Sequence, residues 1–356
     1  MSGALGLNKS DCLGQPVEHV DITSLDTRPL VDQMDRMAFS ARDVARASQI
    51  FDRMIDDTDC MVILCLAGSL VSAGLKRVFV EMIRTNMVDA IVSTGANIVD
   101  QDFFESLGFR HYKAPDEFKS GVHDNTLREL GIDRIYDTLI SEDDLRVCDD
   151  TITSIADGLE PRPYSSREFI RQMGRYLDEN TPSSETGMVW EAYRRGVPIF
   201  CPAFSDCSAG FGLVAHQARR LDTTHLTIDS VRDFHELTRL KMACPESGLF
   251  MVGGGVPKNF AQDIVVAADI LGEPVSMHKY AIQVTVADER DGALSGSTLS
   301  EACSWGKVDT TFEQMVYSEA TLAVPLIAGY AYHQRSWEKR SARDLNALLD
   351  QAHAVT

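Results

Sequence analysis

Lysine and tryptophan stand two residues apart at the end of Ser295-Gly-Ser-Thr-Leu-Ser-Glu-Ala-Cys-Ser-Trp-Gly-Lys307, the stretch of the chain richest in groups that could do chemistry. An aromatic wall desolvates a neighbouring ammonium and favours the neutral amine, so Lys307 beside Trp305 is a candidate nucleophile for imine chemistry. Glu301 lies four residues before Trp305. On a helix capped by Ser297 or Thr298 the two share a face and can hold a cation by charge and by the ring. The competing reading of Gly306-Lys307 is a solvated lysine at a helix C-terminus. A Walker A loop does not fit, because Glu301 stands where its first glycine would be. Cys303 reads as a small buried residue rather than a nucleophile.

Glycine-rich loops offer a second chemistry, anion binding. Gly68-Ser-Leu-Val-Ser-Ala-Gly74 separates an apolar run from a helical pattern. Backbone amides and the helix dipole there attract an anion such as a pyrophosphate, and a tight turn needing glycine explains the segment equally well. Gly253-Gly254-Gly255 has the same double reading, close approach of a ligand or a sharp turn. Asp206 and Asp100 each follow an apolar run and are placed to bind ribose hydroxyls, Asp206 also a ligand ammonium. Each could instead start a helix. There is no H-E-x-x-H, no G-x-S-x-G and no Cys-His signature, and the nine histidines show no metal spacing. No metal site is expected.

The elements that must position these residues are legible in the hydrophobic pattern. Met61-Val-Ile-Leu-Cys-Leu-Ala67 is a continuous apolar run, as in a strand buried on both faces of a parallel sheet. An amphipathic helix follows from Leu75 to Met87, then a second buried strand, Val88 to Thr94, which ends in Gly95-Ala96-Asn97. The grammar returns at Gly196 to Ala203 before Phe204-Ser-Asp-Cys-Ser-Ala-Gly210, and at Gly248 to Val252 before the three glycines. This predicts an α/β fold with a doubly wound, mostly parallel sheet and helices on both faces, its ligands at the carboxyl ends of the strands. Met34, Met37, Ala38, Val44 and Ala45 recur at helical spacing, which predicts an N-terminal arm and helix over 1–60. A polar, mostly helical stretch from Ile140 to Pro182 is expected to lie over the sheet.

Composition limits the partners. With 356 residues, 44% hydrophobic and 24% charged, the chain can bury a large core. Its 34 Lys+Arg against 53 Asp+Glu give a net charge of -19, which repels nucleic-acid phosphate and anionic lipid. Neither a nucleic acid nor a membrane is expected as a partner. The eight cysteines include no C-x-x-C pair, and the start of the sequence has no signal-peptide pattern. A cytoplasmic location is the expectation.

Taken together, several blocks are more specific than their parts. Ser69-Leu-Val-Ser-Ala-Gly74, Asn86-Met-Val-Asp89, Gly131-Ile-Asp-Arg-Ile135, Pro198-Ile-Phe-Cys-Pro-Ala203, Gly253-Gly-Gly-Val256 with Lys258, and Glu301-Ala-Cys-Ser-Trp-Gly-Lys307 occur in this order. In them the chain resembles deoxyhypusine synthase and its homospermidine synthase relatives, over the span from Met61 to Tyr332. The resemblance implies a single Rossmann-like, NAD-binding α/β domain over 61–356. It also implies NAD-dependent aminobutyl transfer: hydride leaves a polyamine, the resulting imine is captured by a lysine, passed to an acceptor amine and reduced.

Residue by residue, the resemblance makes Lys307 the imine-forming lysine. Ser69, Ser72, Asp100, Asp206, Gly253, Gly254, Ser295, Glu319 and Ala320 match NAD contacts, Glu319 standing where the family usually has Asp. Glu301 and Trp305 match part of the polyamine pocket. Three further positions of that pocket depart together: Phe211 and Leu294 replace two aspartates and Asn259 replaces a histidine. Two lost carboxylates remove charge-assisted hydrogen bonds to an ammonium, each worth about 1.5–3 kcal/mol.

The leading expectation is therefore transfer of a four-carbon unit from a polyamine to a small amine such as putrescine, with a homospermidine-type product. One alternative is a deoxyhypusine synthase acting on a lysine of translation initiation factor 5A. Another is a weakened NAD-binding paralogue acting by assembly, against which the retention of Glu301, Trp305 and Lys307 argues. The family implies a homotetramer, a dimer of dimers, with active sites shared between subunits.

Overall fold

The structure is a computed structural model that describes residues 8–116, 124–181, 187–244 and 246–351. Met1 to Leu7 and Pro182 lie outside the described residues. Six parallel strands form the central sheet: β1 (Met61–Leu66), β2 (Ala90–Ser93), β3 (Ile199–Phe200), β4 (Ser247–Val252), β5 (His278–Thr285) and β6 (Val308–Tyr317). Their order across the sheet is β3-β2-β1-β4-β5-β6. The chain thus builds outward from β1 to one edge and then restarts at β4 beside β1, which leaves a crevice at the carboxyl ends where the direction reverses.

Alternation of side chains explains why β1 reads as unbroken apolar sequence. Val62, Leu64 and Leu66 enter one core and Met61, Ile63 and Cys65 the other. The first core is closed by α1 (Ser40–Asp56) and by the helices Lys76–Arg84 and Ala320–Gln334. The second is closed by the helices Ser230–Ala243, Gly255–Ile270 and Leu345–Gln351. Ile140 to Thr181 supplies a short strand and the helices Glu142–Asp157 and Ser166–Asn180, the former packed on Ser208–Ala218.

The N-terminal segment is more integrated than an arm. The expected single helical pattern is split, with Arg28–Met34 and α1 separated by Phe39 at φ 58°. Phe51 and Met54 of α1 are fully buried, and the Phe51 ring meets Phe250 of β4 edge-on at 4.8 Å. Upstream, the Val17 amide donates to the His111 carbonyl at 2.8 Å and the Val20 amide to Gly74 at 3.0 Å. Glu105 joins these pieces through His19 at 2.8 Å, Lys76 at 2.7 Å and His111 at 2.7 Å. Burial works to raise the Glu105 carboxyl, but the hydrogen bonds from His111 and His19 and the charge of Lys76 hold it far below the usual carboxylate range.

Among the described residues no helix is long and apolar enough to cross a membrane, and no group of three His, Cys, Asp or Glu side chains is placed to hold a metal ion.

Candidate active site

An open cleft of about 420 Å³ lies at the carboxyl ends of β1, β2, β3 and β4. Ser69 follows β1, Ser93 and Thr94 end β2, and Asp206 follows β3. Gly254 and the first turn of α2 (Gly255–Ile270) form another wall, with Ser295 alongside. The α2 N-terminus has no side-chain cap, so the positive end of its dipole faces the cleft. Ser93 is fully buried, and its hydroxyl has no partner within the protein. A buried polar atom of this kind ordinarily finds one, so it marks a place for a ligand atom or a water.

The three glycines answer to the fold first. A Cβ on Gly254 would lie 2.4 Å from the Ser295 Cα, so the two loops can approach only because position 254 has no side chain. Gly253 and Gly255 have φ +77° and +63°, the left-handed region that favours glycine.

The structure separates the residues expected to bind the dinucleotide. Ser69, Asp206, Gly254 and Ser295 line the cleft, and Asp206 is exposed and free of a capping duty. Asp100 does not line it. Its Oδ1 accepts the Ser208 amide at 2.7 Å, so Asp100 caps the helix Ser208–Ala218 in place of Asp206. Burial pushes the Asp100 carboxyl up to about 6, against the opposing hydrogen bonds from Ser208. Ser72 is buried away from the cleft, its amide donating to Gln101 at 2.8 Å. Gly253 is not among the residues lining the cleft, and a Cβ there would lie 2.8 Å from the Ala67 Cβ. Glu319 caps its own helix, accepting the Thr321 amide at 2.8 Å, and Ala320 begins that helix beyond the cleft wall.

Lys307 belongs to a second group, joined to the cleft by α2. The helix Leu299–Ser304, capped by Thr298 as expected, ends at Trp305, and Gly306 turns the chain at φ +71° into β6. Lys307 is therefore not a solvated cap: its side chain is only 13% exposed. Its Nζ lies 2.5 Å from the Asp263 carboxylate, 3.4 Å from Asn259 Oδ1 and 5.3 Å from the centre of the Trp305 ring. Asn259 Nδ2 in turn donates to Asp263 at 2.8 Å. None of Lys307, Asn259, Glu301 and Trp305 lines the cleft.

Close to this group stands a second lysine of the same region, Lys258. Fully buried at the fourth position of α2, it falls to about 8 through desolvation, opposed by the Glu301 charge and assisted by Lys307. Its ammonium donates to the Ser297 carbonyl at 2.5 Å and hydroxyl at 2.9 Å. Phe211 is 68% and Trp305 66% exposed, while Leu294 and Glu301 also face solvent.

Comparison with known proteins decides the lineage. The family model for deoxyhypusine synthase matches residues 29–331. This chain belongs to the deoxyhypusine synthase family. The match begins ahead of Met61 and takes in α1, in keeping with its place in the core. The chain is 62% identical over 345 residues to a deoxyhypusine synthase-like protein of Chlorobaculum tepidum, covering 97% of each. It is 59% identical over 341 residues to a protein of the same description from Coxiella burnetii, covering 96% of each. A solved structure described as a deoxyhypusine synthase, from Entamoeba histolytica, superposes with a TM-score of 0.60 at 16% identity, over 92% of this chain and 99% of that one. At that identity the likeness concerns the fold.

Within the deoxyhypusine synthase family frame, two residues escaped the sequence reading. Asp263 follows Asn259 by four positions on one helix, a spacing that places both on one face and could have revealed it. Ser93 carries no such signal, since only the end of β2 makes it a cleft residue.

Proposed function

We propose that the chain is an NAD-dependent transferase that moves a four-carbon aminoalkyl unit from a polyamine to an acceptor amine through an imine on Lys307. One observation carries the reading: a scarcely exposed lysine placed against an aromatic ring and against the carboxylate of Asp263, which projects from the same helix whose N-terminus opens onto the crevice. Family membership supports it. The strand order is that of dinucleotide-binding sheets, in which the ligand lies at the switch between the first and fourth strands.

The cleft fits NAD. Its pyrophosphate suits the uncapped α2 N-terminus, Asp206 suits ribose hydroxyls, and Ser69, Ser93 and Ser295 offer hydroxyls to the remaining polar atoms. NAD held there by these residues would supply hydride acceptance at the polyamine carbon next to nitrogen and, once reduced, hydride donation to the transferred unit. Lys307 contributes the amine that captures the oxidised carbon, and the Trp305 face and the Glu301 charge suit the cationic chain that carries it.

A small amine is the favoured acceptor, giving a homospermidine-type product. Phe211 and Leu294 are apolar and exposed, so they add no charge for a long polycation. Modification of a factor 5A lysine is the second reading, supported by the family itself. The lysine group does not line the cleft of its own chain, which is compatible with the reading that the complete site forms between subunits of a cytoplasmic homotetramer.

Borohydride trapping after incubation with NAD and labelled polyamine tests the chemistry. Label is expected on wild-type Lys307 and absent from Lys307→Ala. An unlabelled wild type, or equal labelling of both, would sink the imine. Product analysis with putrescine, agmatine and factor 5A protein as rival acceptors then separates the two acceptor classes.

A further inference from the structure

We propose that Asp263 is a catalytic residue: it takes the proton from the Lys307 ammonium, and its carboxylate then balances the cationic imine formed there. The inference rests on the imine reading above and gives it the base that it lacks. An ammonium has no lone pair with which to attack, so Lys307 must lose a proton before it can capture carbon. The side chain touching it at 2.5 Å is a carboxylate, within reach for direct transfer.

The surroundings fit a proton acceptor. Asn259 Nδ2 donates to the other Asp263 oxygen at 2.8 Å, while its Oδ1 faces the lysine at 3.4 Å, so one amide fixes carboxylate and amine relative to each other. Asp263 projects from the interior of a sixteen-residue helix, a rigid support. Lys258 on the same helix is committed to Ser297 and is not the partner. The step balances. Lys307 ammonium and Asp263 carboxylate become amine and carboxylic acid. The amine nitrogen bonds to the carbon of the iminium produced when the polyamine loses hydride to NAD. The lysine nitrogen, now carrying two protons, passes one to the leaving nitrogen, the bond from the carbon to that nitrogen breaks, and the amine takes the Asp263 proton and departs as an ammonium. Asp263 is then again an anion, facing the positive imine on Lys307.

The test is single-turnover borohydride trapping with NAD and labelled polyamine on full-length wild type, Asp263→Asn, Asp263→Glu and Asp263→Ala. Asp263→Asn keeps the shape and removes the base, and the rate of Lys307 labelling is expected to fall about 100-fold or more. Asp263→Glu should retain part of the rate, and added formate should restore part of it to Asp263→Ala. Formate rescue reads proton transfer, which a merely structural role would not show, and it stands even if a variant is less stable. Labelling of Asp263→Asn within about threefold of wild type overturns the proposal, as does an Asp263→Ala enzyme that folds, binds NAD and is not rescued. An unlabelled wild type instead overturns the imine reading on which the proposal rests.

Discussion

The ammonium of Lys258 donates to both the carbonyl and the hydroxyl of Ser297, clamping the loop that carries Ser295 onto the start of α2. The clamp ties the cleft wall to the segment leading into Trp305 and Lys307. It does so with a buried charge, and that has a measurable signature.

Lys258 titrates at about 8 when folded against 10.5 as the ordinary value. Between these pH values the unfolded chain binds the extra proton, so stability rises with pH across the window, by up to about 3 kcal/mol. Lys258→Met should remove that share of the rise and leave the share of Lys241, which burial also lowers to about 8. Urea unfolding of both proteins at pH 8 and pH 10 compares the slopes, and parallel slopes would refute the assignment.

Asp100 shows the opposite sign. Its folded value of about 6 lies above the ordinary 3.8, so the native state binds the extra proton and stability falls as pH rises between the two. Asp100→Asn keeps an acceptor for the Ser208 amide without the charge. The variant should therefore be more stable at pH 7, by at most about 3 kcal/mol, and indistinguishable from wild type near pH 3.5. Thermal melts at the two pH values check this.

Gly254→Ala places a Cβ against the Ser295 backbone at 2.4 Å. Relieving that overlap must separate the two loops, at about 1–3 kcal/mol. A melting temperature lower by a few degrees, together with weaker NAD binding in calorimetry, is expected. An unchanged affinity would mean that the approach of these loops does not shape the cleft.

Ser93→Ala distinguishes a ligand contact from a packing role. The Ser93 hydroxyl bonds to nothing in the protein, so its removal should leave the stability of the ligand-free protein within about 0.5 kcal/mol. If NAD takes that hydroxyl, the variant should bind it about 3- to 10-fold more weakly. Titration calorimetry beside a melt separates the two effects.

Sequence alone determined the strand-and-loop grammar, because a strand buried on both faces must be apolar throughout and the loop that follows must be small. Met61 to Ala67 and the three glycines announce both constraints locally. The motif ending in Lys307 suggested a chemistry, since a glutamate on a short helix, a tryptophan at its end and a lysine just past the turn are close in sequence. Only the tertiary structure decided which acid serves which purpose. Asp100 and Asp206 look alike in sequence, yet one caps Ser208 across 108 positions and the other is left facing the cleft. Likewise Asp263 and Lys307 are 44 residues apart (307 less 263), and Lys258 is fully buried while Lys307 keeps 13% of its side chain exposed. Burial and long-range pairing depend on which helix the sheet brings against which loop, and no local pattern encodes that.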